Sequence, residues 1–217
     1  MKKLLCLHGF SMNASWFEQW LRPIEAHMRQ PVQMVFAQGP HECNETQVRA
    51  LWQRLQVQAP LFRWRAGRHY CWFQYGDDGS YQEVEPTLQY LSQLIDEQGP
   101  FDGVFGWSQG AVMSLMLLAD YQARQQPLPF QWMVLGAGGL PKCEPWQSRL
   151  RVPVTMPSLH VVGEQESLRM RRRIDELLAA CSAGQQLLTP AAHQLPLQHE
   201  PSLRAIAQWM DEKICVR

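Results

Sequence analysis

Gly106-Trp107-Ser108-Gln109-Gly110 is the segment of this chain with the clearest capacity for chemistry. The pentapeptide G-x-S-x-G sits between a short apolar strand pattern, Gly103 to Gly106, and a long apolar helical pattern beginning near Ala111. A serine at the tip of such a strand-to-helix turn is predicted to hold a strained backbone, and side chains two positions before or after it would collide. The arrangement leaves the hydroxyl exposed at a helix N-terminus, where partial positive charge favours a developing oxyanion. A serine hydroxyl is a weak nucleophile, so the chemistry also needs a base and a group that orients the base. Histidines at 193 and 199 and the turn Glu164-Gln165-Glu166-Ser167 are the candidates downstream.

The elements that must position these groups alternate. Strand patterns fall at residues 3–8, 32–37, 103–107, 132–136, 158–163 and 185–189. Helix patterns lie near 14–29, 87–98, 110–124, 168–181 and 202–213. The alternation predicts a mostly parallel six-stranded sheet in the order 2-1-3-4-5-6, with helices on both faces and right-handed crossovers. This is the plan of a compact α/β-hydrolase without the two antiparallel strands that open larger members. Its chain order is serine, acid, histidine. His193 falls in the loop after the last strand and is favoured over His199, which sits at the start of the terminal helix. Glu164 and Glu166 both follow the fifth strand, and position alone leaves the choice between them open. The opening strand ends Leu7-His8-Gly9-Phe10, so the backbone N–H of Phe10 is expected to join that of Gln109 in an oxyanion hole. His8 itself is read as a locally satisfied strand-end histidine.

With these residues in place, the chain resembles the FSH-type family of serine hydrolases. The similarity runs through Leu5-Cys6-Leu7-His8-Gly9-Phe10 with Asn13, the block from Gly99 to Ala111, and Ser158-Leu159-His160-Val161-Val162-Gly163-Glu164. Pro196, three residues after His193, also fits. The resemblance implies Ser108 as nucleophile, His193 as base and Glu166 as acid. It implies hydrolysis of carboxylic esters, thioesters included, through an acyl-enzyme on Ser108, with no metal or organic cofactor. Three departures stand out. Glu166 occupies a position where the family usually has Asp. Ala191-Ala192-His193 replaces Gly-Gly-His. Gln38-Gly39-Pro40-His41 replaces Asp-Ala-Pro-His. The rival readings are a non-catalytic binding protein on a hydrolase scaffold, and a peptide or carbon–carbon bond hydrolase of the same fold.

Residues 1–217 are read as one domain with an irregular insertion at about 40–81. A possible helix from Glu45 to Gln56 is followed by Pro60, Gly67, Gly76 and Gly79. Aromatic and arginine residues crowd its middle, so it is expected to flank the Ser108 pocket. Trp72, Phe73 and Trp107 are the predicted wall residues, with Arg63, Arg65 or Arg68 placed to meet an acidic substrate group. Leu135-Gly136-Ala137-Gly138-Gly139 lacks the spacing of a nucleotide loop. Apolar residues make up 46% and charged residues 18%, and the 20 basic and 20 acidic residues cancel. No charge excess recommends nucleic acid or an anionic membrane as a partner. Arg169 and Arg171-Arg172-Arg173 read as the solvated face of an amphipathic helix. The opening apolar run stops at His8, too short for a secretory leader, and no segment approaches a membrane span. Six scattered cysteines without a C-x-x-C pair read as reduced thiols of a cytoplasmic enzyme. The partner is then a small-molecule ester, and nothing specifies an oligomer.

Overall fold

The computed structural model describes residues 1–43, 46, 48, 49, 53 and 68–215. Six strands form one sheet: β1 (Lys2–Leu7), β2 (Val32–Ala37), β7 (Gly103–Trp107), β8 (Trp132–Gly136), β9 (Ser158–Gly163) and β10 (Gly184–Thr189). Their spatial order is β10-β9-β8-β7-β1-β2. Every pairing is parallel, as in Leu4 opposite Met34 on one side and Gly103 on the other. The predicted order is therefore the observed one. Between β2 and β7 lie two short antiparallel ladders, β3 (His41–Glu42) with β4 (Tyr70–Cys71), and β5 (Gln74–Tyr75) with β6 (Tyr81–Gln82).

Helices cover both faces, as a parallel sheet requires. α1 (Ala14–Glu25) and α6 (Glu200–Cys215) pack on one face. There Leu4, Cys6, Phe105, Trp107, Trp132, Val134, Leu159 and Val161 form a core with Phe17, Leu21, Ile206 and Met210. On the other face α2 (Val84–Gln98) and α3 (Gln109–Ala123) meet Leu5, Leu7, Val104, Met133 and Leu135. The two lists alternate along each strand, which is the period-two side-chain pattern of a pleated sheet. α3 is buried over nearly its whole circumference, from Gln109 to Ala119. That explains why its sequence reads as a continuous apolar run rather than a stripe. α4 (Trp146–Arg149) and α5 (Leu168–Ala180) complete the second layer.

Local chemistry starts the helices. Asn13 Oδ1 accepts the Trp16 amide at 2.9 Å at the head of α1, and Ser167 Oγ accepts the Met170 amide at 3.3 Å at the head of α5. α1 ends at Glu25, earlier than the apolar pattern suggested. The amides of Arg29 and Gln30 bond instead to the Asp211 carboxylate, at 2.8 and 3.1 Å, and tie the loop to α6. Of the predicted helix at 45–56 only residues 46, 48, 49 and 53 are described, each helical, and the Phe62–Arg65 stretch lies outside the described residues.

Candidate active site

Ser108 joins β7 to α3 with φ 53° and ψ −109°, a conformation rare for a residue with a Cβ. Such a residue costs on the order of 1–3 kcal/mol unless its surroundings hold it. Here they do. The Ser108 amide donates to Gly136 O at 2.7 Å, and its carbonyl accepts from Ala111 and Val112 at 3.1 and 3.2 Å. The flanking glycines are sterically required. A Cβ on Gly106 would stand 2.6 Å from Ala111 Cα, and one on Gly110 would stand 2.1 Å from Leu7 O. Thus neither glycine of G-x-S-x-G has room for a side chain.

The elbow leaves Ser108 partly exposed, with its Oγ 2.9 Å from His193 Nε2. His193 Nδ1 lies 2.9 Å from Glu166 Oε1. The Glu166 side chain is only 2% exposed and that of His193 is 16% exposed, so the pair is screened from bulk water. With a carboxylate at Nδ1, that nitrogen carries the proton and Nε2 accepts from the serine. Both loops are stitched together. Glu164 donates its amide to Thr189 O at 2.9 Å, and Gln165 donates to Ala191 O at 3.0 Å. The Glu166 side chain meets the imidazole, whereas Glu164 is exposed. His199 is elsewhere. Its Nδ1 is 2.8 Å from Ser202 Oγ, and its carbonyl accepts the first amides of α6.

Phe10 follows β1 and Gln109 opens α3. Among the described residues neither backbone N–H has a protein acceptor. The loop carrying Phe10 is pinned to the insertion. Ser11 donates its amide to Tyr70 O at 2.9 Å, Tyr70 donates to Met12 O at 2.8 Å, and Ser11 Oγ lies 2.8 Å from His69 Nδ1. His8 underneath is fully buried. Its Nδ1–H donates to Gly9 O at 2.8 Å and its Nε2 accepts the Gly39 amide at 3.0 Å. Burial lowers its pKa to about 4, against a smaller opposing effect of the bond to Gly9, so the ring is neutral.

The Gln109 side chain has a part that sequence reasoning missed. Its Nε2 donates to Phe73 O at 2.7 Å, and its Oε1 accepts the Trp72 amide at 2.9 Å. The residue after the serine thereby pairs with the insertion as another strand would. Position x of the motif carries no signal for this beyond the amide's matched donor and acceptor.

The predicted pocket walls need correction. Trp72 and Phe73 have no exposed surface and belong to the core around α3. Trp72 is consumed by its neighbours, its indole N–H donating to His8 O at 2.7 Å and its carbonyl accepting from Thr87 Oγ1 at 2.6 Å. Both residues anchor the insertion under the Phe10 loop and present nothing to a substrate. Trp107 is 3% exposed, with its ring 6.3 Å from that of His193, and it supports the imidazole from behind. Arg68 projects outward, 4.0 Å from Glu42, while Arg63 and Arg65 lie outside the described residues. Phe10, Tyr75 and Tyr81 are among the partly exposed aromatic groups near this end of the sheet. The ring centroids of Phe10 and Tyr75 are 6.3 Å apart, and those of Tyr75 and Tyr81 are 5.5 Å apart.

Fold and site together define an α/β-hydrolase of the serine type: a parallel sheet, a serine on a strained elbow, and a histidine–carboxylate pair within hydrogen-bond reach. The chain belongs to the FSH1 serine hydrolase family, whose model matches residues 1–203. It is 27% identical over 205 residues to an esterase of Danio rerio, OVCA2, covering 89% of this chain and 90% of that one. It is also 27% identical to an uncharacterised hydrolase of Schizosaccharomyces pombe over 91% of this chain, although it spans only 48% of that longer protein. Among solved structures, acyl-protein thioesterase 2 of Zea mays superposes with a TM-score of 0.64 at 15% identity, over 98% of this chain and 94% of that one.

Proposed function

We infer that this chain hydrolyses carboxylic esters and thioesters of small molecules through an acyl-enzyme on Ser108, as a carboxylesterase-type enzyme. The observation that carries this reading is the unbroken line Ser108 Oγ–His193 Nε2–His193 Nδ1–Glu166 Oε1, with both spacings at 2.9 Å. In this reading His193 Nε2 takes the serine proton as Oγ attacks the carbonyl carbon. The resulting oxyanion is held by the N–H groups of Phe10 and Gln109. Glu166 stabilises the imidazolium, which then protonates the departing alcohol or thiol. A water molecule, deprotonated by the same imidazole, attacks the acyl-serine and releases the acid. Glutamate in the acid position works because the turn 164–166 is anchored on the histidine loop and delivers the longer side chain at hydrogen-bond distance. No metal or organic cofactor enters these steps. No helix among the described residues is long and apolar enough to cross a membrane, and we place the enzyme in the cytoplasm.

The test is covalent labelling. A fluorophosphonate should add one phosphonyl group to the intact chain, located on Ser108 by peptide mass and absent after Ser108→Ala. A chain that stays unlabelled while folded is a binding protein on this scaffold, not a hydrolase.

A further inference from the structure

Arg173 lies in the second turn of α5, next to Met170 and Ile174 on its buried stripe. Unlike its exposed neighbour Arg172 it is partly buried, and its Nε is shut off from solvent without a hydrogen-bond partner. Its place is fixed by Gly139. A Cβ built there would be 3.0 Å from Arg173 Cβ and 3.3 Å from Arg173 Nε. The preceding Gly138 abuts the elbow, since a Cβ on it would be 3.5 Å from Ser108 O. With adjacent Cα atoms about 3.8 Å apart, Nε is at most about 14 Å from the Ser108 carbonyl. The guanidinium also stands beside Tyr75 and Tyr81. Burial raises both phenol pKa values, and the Arg173 charge pulls each back.

No acid offsets this charge among the described residues. Glu176, one turn further along α5, lies 3.7 Å from Lys142, and no ion pair involves Arg173. Tyr81 Oη, beside it, accepts the Lys142 amide at 3.1 Å, and among the described residues no acceptor takes its own O–H. A partly desolvated guanidinium without a counterion, flanked by a free hydroxyl donor, suits a planar carboxylate.

The side of the sheet decides which end of an ester arrives there. His193, which must protonate the leaving group, leans on Trp107, and Trp107 belongs to the α1–α6 face. Tyr75 and Tyr81 pack on the opposite, α2–α3 core. The acyl portion, held away from the imidazole, therefore extends toward Arg173.

We propose that Arg173, with Tyr81, binds a carboxylate at the far end of the acyl chain, so that the preferred substrates are monoesters or monothioesters of dicarboxylic acids. The proposal rests on the esterase reading of the same site.

The experiment compares 4-nitrophenyl hemiesters of succinic, adipic and suberic acid with neutral 4-nitrophenyl esters of equal chain length. The wild-type enzyme is expected to favour a hemiester by about tenfold or more in kcat/KM, at one optimal length, chiefly through KM. Arg173→Gln should erase that preference by about 10–100-fold while leaving the neutral esters within about twofold, and Arg173→Lys should restore part of it. Equal kcat/KM for charged and neutral esters in the wild type, or a preference that survives Arg173→Gln, overturns the proposal. Should Arg173→Gln fail to fold, inhibition of the wild type decides: adipate must inhibit neutral-ester hydrolysis at least tenfold better than hexanoate. Cleavage of neutral esters with fluorophosphonate labelling but without charge preference defeats the Arg173 assignment alone. Absence of both labelling and turnover defeats the esterase reading beneath it.

Discussion

Replacing Gln109 by alanine isolates the clasp between the elbow and the insertion. The side chain is 2% exposed, and Trp72 and Phe73 are fully buried. Gln109→Ala therefore strands the Trp72 N–H and the Phe73 carbonyl where neither reaches water. Each stranded buried group costs about 1–3 kcal/mol, so the pair should cost about 2–6 kcal/mol of unfolding free energy. For a chain of this size each kcal/mol moves Tm by about 2–4 °C, which gives a drop of about 4–24 °C. Gln109→Glu separates the two bonds. Ionised, the new side chain accepts from Trp72 but confronts the Phe73 carbonyl; protonated, it donates to that carbonyl. Burial raises its folded pKa above about 4.3, its unfolded value. Relative to the native chain, the variant should be near full stability below about pH 4.3 and lose it as pH rises through the folded pKa. Urea unfolding of the three proteins across pH 4 to 8 measures this. A Gln109→Ala loss under about 0.5 kcal/mol, or a Gln109→Glu difference independent of pH, would refute the clasp as an energetic link.

Three further outcomes are expected. Ser108→Ala should lower kcat by on the order of 10⁶ and leave the unfolding curve near that of the native chain, as judged by ester turnover and urea titration. Glu166→Gln should cost about 10⁴-fold in kcat by spoiling the imidazole tautomer, whereas the exposed Glu164→Gln should change it less than about threefold. His8 and His160 are buried, and desolvation lowers each pKa to about 4. The unfolded state then binds more protons between about pH 4 and pH 6.5. Stability is fully present above about pH 6.5 and falls with pH by up to about 3 kcal/mol per histidine. Imidazole Cε1–H signals should show two histidines still neutral at pH 5, and two normal titrations near 6.5 would contradict their neutral burial.

The sheet order was legible because alternating strand and helix patterns leave few right-handed arrangements, and because β7, β8 and β9 are apolar enough to be recognised without periodicity. The elbow was legible because the strand before G-x-S-x-G and the helix after it are local patterns, although the collisions that demand its glycines involve Ala111 and the distant Leu7. The walls were not. Trp72-Phe73 looked like pocket lining from composition, but an indole N–H and two backbone groups with partners inside the protein draw the pair under the surface. Arg173 was hidden for the opposite reason. In an arginine run a single step of about 100° around the helix separates solvent from core, and only the α5 packing against Gly139 distinguishes it from Arg172. The close approach of Gln109 to the insertion joins residues 36 and 37 positions apart, a separation at which no local pattern operates.

The clasp at Gln109 also bears on how such enzymes diversify. It grips only the main chain of the insertion, one N–H and one C=O, and is indifferent to which side chains those residues carry. The insertion is thereby held at this joint by a connector that reads no side chain, while the Trp72 indole on His8 O is a second hold that does. The two holds can be exchanged separately: residue 73 can vary without touching the clasp, and residue 72 trades only the indole bond. An engineer can use the same joint: a foreign segment whose backbone runs through the Trp72–Phe73 position inherits its fastening from α3 and leaves the elbow untouched.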